Sequence, residues 1–365
     1  MTEPLAGGED ARFMRRAIEL ARRGWGRVAP NPLVGAVIVL DDRIVGEGWH
    51  REHGGPHAEV EALRAAGDLA RGATLYVSLE PCSHRGKTGP CTQAILEAGI
   101  SRVVFACHDP NPVAGGGGAL LGEAGVDVLS GVQEHLSRAL NAAFFHAHAD
   151  PPPHRPWTEL KLALSLDGRV ADLAGRSAWI TGERARAEVH RLRAGHDAIA
   201  VGIGTALADD PMLSVRTEPE PRRTPVRIVF DRNLRLPLSS RLVASAKDLP
   251  VWVVAGPESS EDARGALEAN GVRVLSAAGL QDSLRALRDA GIDSLFCEGG
   301  AQLASAMLQA QLVDRLTLFY APLFLGADGA DPFRDLSSQP LDQAERWRRV
   351  DTRAFGADTM IVLDR

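Results

Sequence analysis

Between Asp150 and Pro156 the chain reads Asp-Pro-Pro-Pro-His-Arg-Pro, four prolines in seven residues. Proline lacks a backbone donor and fixes its φ, so this run cannot continue a helix or lie inside a sheet; it is a stiff, extended connector. The chain on either side must then fold as separate units. Its 365 residues agree with that, since about 150 residues per domain is the usual allowance. We place the units at residues 1–149 and 157–365, with 150–156 as the linker.

Both units have the composition to build a core: 45 % of the residues are hydrophobic and 24 % charged. The net charge of −6 is shared evenly, with 14 basic and 17 acidic residues in 1–149 and 27 and 30 in 150–365. Neither half is the basic module a nucleic-acid backbone requires. No apolar run approaches the roughly 18–20 residues that span a bilayer. Met1 to Asp10 is polar and lacks the basic and apolar segments of a signal peptide. Four cysteines make no disulfide framework. These features predict a soluble, cytoplasmic protein with neither a nucleic-acid nor a membrane partner.

Hydrophobic periodicity predicts an α/β fold on both sides of the linker. In the first half, Asp10 to Gly24 is helical, with Phe13, Ala17, Leu20 and Ala21 on one face. Val34–Leu40 and Arg43–Trp49 read as a hairpin turning at Asp41-Asp42. Helices follow at His57–Ala66 and Cys91–Ala98, and strands at Ala73–Leu79 and Arg102–Cys107. In the second half, strands are expected at Leu160–Ser165, Ala198–Val201, Val226–Phe230, Val251–Ala255, Ser294–Glu298, Arg315–Ala321 and Asp358–Leu363. Helices are expected at Glu183–Ala194, Ser283–Ala290 and Gly300–Ala310. There is no internal repeat, and Gly115–Gly118 is too short a glycine run to define a segment.

The most specific chemistry lies in the first half. His57 opens a helix with Glu59 two residues on, Cys82 follows a strand, and Cys91 opens another helix. One imidazole and two thiolates are the protein ligands of an open zinc site that keeps its fourth position for water. Glu59 is too close in sequence to His57 to join the same coordination sphere comfortably, but it is well placed to move the water's proton. Zinc nucleobase deaminases carry H-x-E…P-C-x-x-C, whereas eight residues separate the cysteines here. His53, His84, Cys107 and Cys297 are not expected to be ligands.

The segments Pro30-Asn31-Pro32-Leu33-Val34-Gly35, Pro56-His57-Ala58-Glu59-Val60 and Glu80-Pro81-Cys82-Ser83-His84-Arg85-Gly86-Lys87-Thr88-Gly89-Pro90-Cys91 resemble the deaminase half of the bifunctional riboflavin-biosynthesis deaminase/reductase family. Asp109-Pro110-Asn111-Pro112 continues the likeness, and the long cysteine spacer is itself a family feature. Two departures are Gly89, where the family usually has proline, and Gly115–Gly118, which could loosen a loop. The resemblance implies a cytidine-deaminase-like three-layer α/β/α domain holding one zinc per chain. It further implies zinc-dependent hydrolytic deamination of 2,5-diamino-6-(5-phosphoribosylamino)pyrimidin-4-one, with Glu59 shuttling the proton and Asn31 and His50 facing the substrate.

In the second half the likeness rests on three clusters in family order: Leu160–Arg169 with Ser177–Thr181, Val201–Arg216, and Cys297–Leu303. They imply a dihydrofolate-reductase-like α/β domain that uses NADPH to reduce the ribosyl side chain to ribityl. A strand ending at Glu298, then Gly299-Gly300-Ala301 and a helix, suits the pyrophosphate of NADPH. By resemblance Ala163, Trp179, Thr205 and Asp209 contact the cofactor, and Asp209 relays a proton. Arg193 and Arg216 are assigned to the substrate's 5′-phosphate, which suits the guanidinium fork. Ser177, Leu213, Lys161 and Glu298 complete the substrate set, Lys161 being one of only 3 lysines and Glu298 its candidate partner. Arg232 stands where the family often has serine and is assigned to the 2′-phosphate of NADPH. The family usually assembles through its reductase half, so a homo-oligomer is expected.

Two other readings can be weighed on the sequence alone. A zinc deaminase acting on a base in nucleic acid needs a basic face with exposed aromatics, which the −3 charge of residues 1–149 opposes. A structural zinc normally takes four protein ligands, and only three are evident.

Overall fold

A computed structural model of the chain describes residues 8–84, 89–333, 335–337 and 339–365. Residues 85–88 of the cysteine spacer, and the first seven residues of the polar N-terminal segment, lie outside the described residues. Contacts divide the chain into two compact units, Met1–Pro152 and Pro153–Arg365, and the division falls inside the proline run.

The first unit begins with α1 (Gly8–Ala21), followed by a 3-10 turn at Arg22–Gly24. The hairpin is β1 (Gly35–Leu40) and β2 (Arg43–Trp49), turning on Asp41 and Asp42, which both have positive φ. Then come α2 (Ala58–Ala66), β3 (Thr74–Val77), α3 (Cys91–Ala98), β4 (Arg102–Phe105), α4 (Gly117–Glu123), β5 (Asp127–Ser130), α5 (Glu134–Leu140) and α6 (Ala142–Ala147). The strand order is β2-β1-β3-β4-β5, with β1 antiparallel to both neighbours and the rest parallel.

Alternation along β1 sorts the layers. Ala36 and Ile38 face a cluster with Ala58, Ala62, Ile95 and Leu121, from α2, α3 and α4. Val37 and Val39 face Phe13, Met14 and Ala17 of α1. A sheet between two helical layers is the three-layer α/β/α arrangement.

The helix α2 sits unusually low on the sheet. Ala58, Ala62 and Ala66 recur every four residues along it, and Gly46 and Gly48 lie opposite on β2. A Cβ at Gly46 would overlap the carbonyl oxygen of Ala62, and one at Gly48 that of Ala58. Backbone therefore meets backbone where a side chain would ordinarily intervene.

The second unit holds β6 (Trp157–Ser165), α7 (Glu183–Ala194), β7 (Ala198–Gly202), α8 (Ile203–Asp209), β8 (Val226–Phe230), α9 (Arg241–Ala244) and β9 (Val251–Ala255). It continues through α10 (Glu261–Ala269), β10 (Arg273–Ser276), α11 (Leu280–Asp289), β11 (Ser294–Cys297), α12 (Ala301–Gln309), β12 (Arg315–Ala321), β13 (Arg348–Phe355) and β14 (Asp358–Asp364). Its nine-stranded sheet has the order β10-β9-β8-β7-β11-β6-β12-β14-β13, mixed because β14 runs antiparallel to β12 and β13. Leu160, Leu162 and Leu164 of β6 enter the core with Leu295, Ala304, Met307 and Leu318. Lys161 and Ala163 occupy the opposite face of the same strand.

Several elements lie beyond the sequence expectations: α4 to α6, β5, α8 to α10, β10 and β13. Most are short or half-exposed. The edge strand β13, for example, carries arginines at 348, 349 and 353 and shows no apolar alternation.

Candidate functional site

His57 is the residue before the first turn of α2, yet its side chain makes no capping hydrogen bond. The ring turns instead to the cysteines: Nδ1 lies 3.2 Å from Cys91 Sγ and 3.6 Å from Cys82 Sγ. Cys91 is the first residue of α3, and its backbone N–H donates to Cys82 Sγ at 3.4 Å. Cys82 reaches the same point from the loop after β3, five residues beyond that strand's end. The three ligand atoms lie within 4.8 Å of one another, and Cys82 and Cys91 are buried.

The donor set fits zinc. Bond lengths of about 2.0–2.1 Å to nitrogen and 2.3 Å to sulfur around a tetrahedral ion place N and S roughly 3.5 Å apart. The two N···S separations bracket that value. The hydrogen bond from Cys91, assisted by His57, drives the Cys82 thiol down to about 4. That bond and burial drive Cys91 upward. A thiol that gives up its proton this readily beside an imidazole is the donor chemistry a divalent cation takes up.

Glu59, in the first turn of α2, is buried with its carboxyl against Cys91. Burial pushes its pKa up, and the charge of His57 opposes the shift.

Beside this trio lies a hydrogen-bond chain. His50 Nδ1 is 3.0 Å from the carbonyl of Pro56, which only accepts, so Nδ1 carries the proton and Nε2 accepts from Asn31 Nδ2 at 3.0 Å. Asn31 Oδ1 in turn accepts from His53 Nδ1 at 3.2 Å. Asn31 and His50, both assigned to the substrate by resemblance, are thus hydrogen-bonded to each other, and His53, set aside there as a non-ligand, enters the network through Asn31.

The glycine run does the opposite of loosening its loop. A Cβ at Gly117 would overlap the carbonyl oxygen of Pro81. Gly118 N donates to Glu80 Oε1 at 2.9 Å, and Ser83 Oγ donates to the carbonyl of Gly115 at 2.8 Å. Buried Glu80 also accepts from Asp109 N at 3.2 Å through its other oxygen. These residues clamp the loop that bears Cys82.

In the second unit, Glu298 receives Arg193 through both oxygens: Nε on Oε1, and Nη2 on Oε2 at 2.9 Å. The planar fork matches a carboxylate, so Arg193 rather than Lys161 takes the pair. Lys161 is half-buried within the field of both; desolvation and Arg193 lower its pKa, against the pull of Glu298. Arg193 Nη1 also donates to the carbonyl of Ser214 at 2.8 Å. That occupies much of the guanidinium assigned to the phosphate.

Gly299 and Gly300, with φ of 56° and 130°, form the turn into α12, and Ala301 begins it. Thr205 Oγ1 donates to the carbonyl of Gly299 at 2.9 Å and stands where a Cβ on Gly300 would come within 2.6 Å of it. Ser177 Oγ lies 3.3 Å from both carboxylate oxygens of exposed Asp209. Ala163 lies beside Lys161 on the face of β6 away from the core. Leu213 is buried with φ 48°, so it offers a substrate mainly backbone. Trp179 is 75 % exposed under the guanidinium of Arg186, and Arg232 is exposed just past β8.

Residues 8–107 match the family described as "Cytidine and deoxycytidylate deaminase zinc-binding region", and residues 156–361 match "RibD C-terminal domain". The riboflavin biosynthesis protein RibD of Aquifex aeolicus is 40 % identical over 98 % of both chains. That of Escherichia coli is 40 % identical over 97 % of this chain and 99 % of its own. The chain belongs to the RibD family. A solved RibD structure from Acinetobacter baumannii superposes over 98 % of both chains with a TM-score of 0.78 at 39 % identity. The Thermotoga maritima deaminase/reductase does so over 98 % of both with 0.81 at 37 %.

As a RibD family member, the protein is a bifunctional enzyme of riboflavin biosynthesis with a deaminase and a reductase half. Its cofactors are zinc and NADPH. No helix among the described residues is long and apolar enough to cross a membrane. Beyond the motif residues, the fold contributes groups that sequence reasoning passed over. These include His190, and Arg227, which is buried in β8 and donates to the carbonyls of Met212 at 3.1 Å and Leu249 at 2.6 Å. None lies in a motif that spacing alone would flag.

Proposed function

We propose that the first unit deaminates 2,5-diamino-6-(5-phosphoribosylamino)pyrimidin-4-one and that the second reduces the resulting 5-amino-6-(5-phosphoribosylamino)uracil to its ribityl form. The observation that carries this reading is the convergence of His57, Cys82 and Cys91 within 4.8 Å, with Glu59 buried beside them. Three donors leave a tetrahedral ion one open position, which suits catalysis and not a closed structural site.

Zinc held there supplies a water acidic enough to react near neutral pH. Glu59 takes the proton of that water on its carboxylate and returns it to the departing 2-amino group, so that ammonia leaves and a ring carbonyl remains. Asn31 and His50 fix the pyrimidine ring. Their amide and imidazole are already held in one orientation by Pro56 and His53, so little ordering remains on binding.

In the second unit NADPH supplies a hydride to C1′ of the open-chain imine. The glycine turn at Gly299-Gly300-Ala301 and Thr205 hold the cofactor, with Ala163, Trp179 and Arg232 along it. Asp209, hydrogen-bonded to Ser177, delivers the proton that the imine nitrogen gains. Lys161 and Glu298 orient the ribosyl chain, Leu213 contacts it through backbone, and Arg216 holds its 5′-phosphate, while Arg193, already paired with Glu298, holds the Ser214 carbonyl beside it. We assign the protein to the cytoplasm as a homo-oligomer joined through the reductase half, with residues 150–156 as the linker between its domains.

The test uses the purified full chain and the diaminopyrimidinone substrate. Ammonia should appear without NADPH, and NADPH absorbance should fall only as deaminated product accumulates. Oxidation of NADPH with no ammonia release would overturn the assignment of the first unit.

A further inference from the structure

The loop between α8 and β8 carries Ser214 and Arg216, and His190 reaches it from α7. His190 Nδ1 lies 3.1 Å from the carbonyl oxygen of Ser214. A carbonyl only accepts, so Nδ1 bears the proton and Nε2 presents a lone pair. Arg216 donates to that lone pair from Nη2 at 3.0 Å and from Nε at 3.3 Å. Arg193, one turn along α7, donates to the same Ser214 carbonyl. The imidazole thus links the loop's backbone to the guanidinium beyond it.

The choice of acceptor matters. Several other guanidinium groups among the described residues are oriented by carboxylates, as Arg193 is by Glu298, Arg102 by Asp10 and Arg315 by Asp364. A carboxylate orients a guanidinium and cancels its charge. A neutral imidazole orients it and leaves the charge intact for an incoming anion. Arg216 is exposed, and the edge spent on His190 leaves its Nη1 donors for such a ligand. Burial, with the charges of Arg193 and Arg216 adding, lowers the His190 pKa and keeps the ring in its accepting form.

We propose that His190 is the positioning residue that aims Arg216 at the 5′-phosphate of the reductase substrate. This rests on the assignment of Arg216 to that phosphate. It concerns a residue that touches neither substrate nor cofactor and acts through another.

The test compares KM for 5-amino-6-ribosylaminouracil with and without its 5′-phosphate, in the full chain. Arg216→Ala should raise KM for the phosphorylated compound about tenfold and leave the unphosphorylated one alone. His190→Leu, which fills the space without an acceptor, should raise the same KM by roughly three- to tenfold, again only for the phosphorylated compound, with kcat held. His190→Gln, whose amide oxygen can stand in for Nε2, should restore most of the loss. Equal losses on both compounds, or a glutamine variant as impaired as leucine, overturn the role of His190. If Arg216→Ala itself shows no preference for the phosphorylated compound, the phosphate assignment has failed and His190 falls with it. Where the leucine variant does not fold, His190→Ala carries the same comparison.

Discussion

Arg193 and Glu298 meet across 105 positions of sequence in a two-pronged ion pair, Nε and Nη2 of one on the two carboxylate oxygens of the other. The guanidinium is therefore in place before any substrate arrives. Glu298 also pulls on the ammonium of Lys161, so two cations depend on one carboxylate. Glu298→Gln should lower kcat/KM for the reduction by about a hundredfold, the scale expected when one member of a buried charged pair is left alone. Ammonia release should be unchanged. A reductase rate within twofold of the parent would show that this pair does not organise the site.

Glu59 is the group whose removal should separate metal binding from chemistry. Glu59→Gln should retain zinc, because none of the three donors is touched, and should lose at least about a hundredfold in deamination. Metal content by atomic absorption, read beside ammonia release, checks both. Zinc loss in this variant would make Glu59 part of the metal's support and not its proton carrier.

Gly117 tests the clamp on the Cys82 loop. Its missing side chain lets the start of α4 rest on the carbonyl of Pro81. Gly117→Ala should displace that loop and weaken zinc affinity by about tenfold or more, in line with other changes in the shell around a metal's ligands. Competition against a chromogenic chelator measures it. Gly122→Ala on the same helix, where a Cβ meets nothing, should leave the affinity where it was.

In the second unit, burial pushes the Glu159 carboxyl up, but His196, Arg315 and the hydroxyl of Thr317 outweigh it, and the pKa ends below its usual value. A lowered carboxyl stabilises the fold above its unfolded value of about 4.3 and loses that contribution as the pH falls through the folded value. Glu159→Gln should therefore cost about 3 kcal/mol near pH 7. The gap to the parent should narrow in acid as the parent's own carboxylate protonates. Urea midpoints at pH 7 and at pH 3.5 make the comparison, and a gap that persists unchanged in acid would rule the ionic contribution out.

Arg232 lies exposed past the end of β8, where a 2′-phosphate reader is expected. Arg232→Ala should weaken NADPH about tenfold and NADH hardly at all. Binding titrations with both cofactors decide it, and an unchanged ratio rejects the role.

What the sequence revealed depended on how local the signal was. The candidate metal trio was legible because His57, Cys82 and Cys91 are chemically distinctive, and because two of them open helices whose periodicity is plain. The hairpin was legible from Asp41-Asp42, strand β9 from its unbroken apolar run, and β8 and β12 from runs that one or two polar residues interrupt. Edge strands such as β5 and β13 were not, because half-exposed strands lack those runs. Positioning groups were the hardest to see. His53 and His190 acquire meaning only through Asn31 and Arg216, 22 and 26 residues away. The glycine run looked like slack because a missing side chain shows its purpose only once Pro81 is seen above it. Glu298 does act on Lys161, the partner its rarity as a buried cation suggested, but Arg193 on α7 also claims both carboxylate oxygens, and nothing in the sequence brings those two together.

The helix that carries Glu59 rests on Gly46 and Gly48 with nothing in between. A contact between main chains has no rotamers to exchange, so it cannot soften one substitution at a time as an ordinary core does. The height of Glu59 above the sheet is accordingly close to a mechanical constant of the hairpin. Sequence drift can repack the alanines and the outer faces around it, but the Glu59 carboxylate keeps its altitude as long as those two positions stay bare.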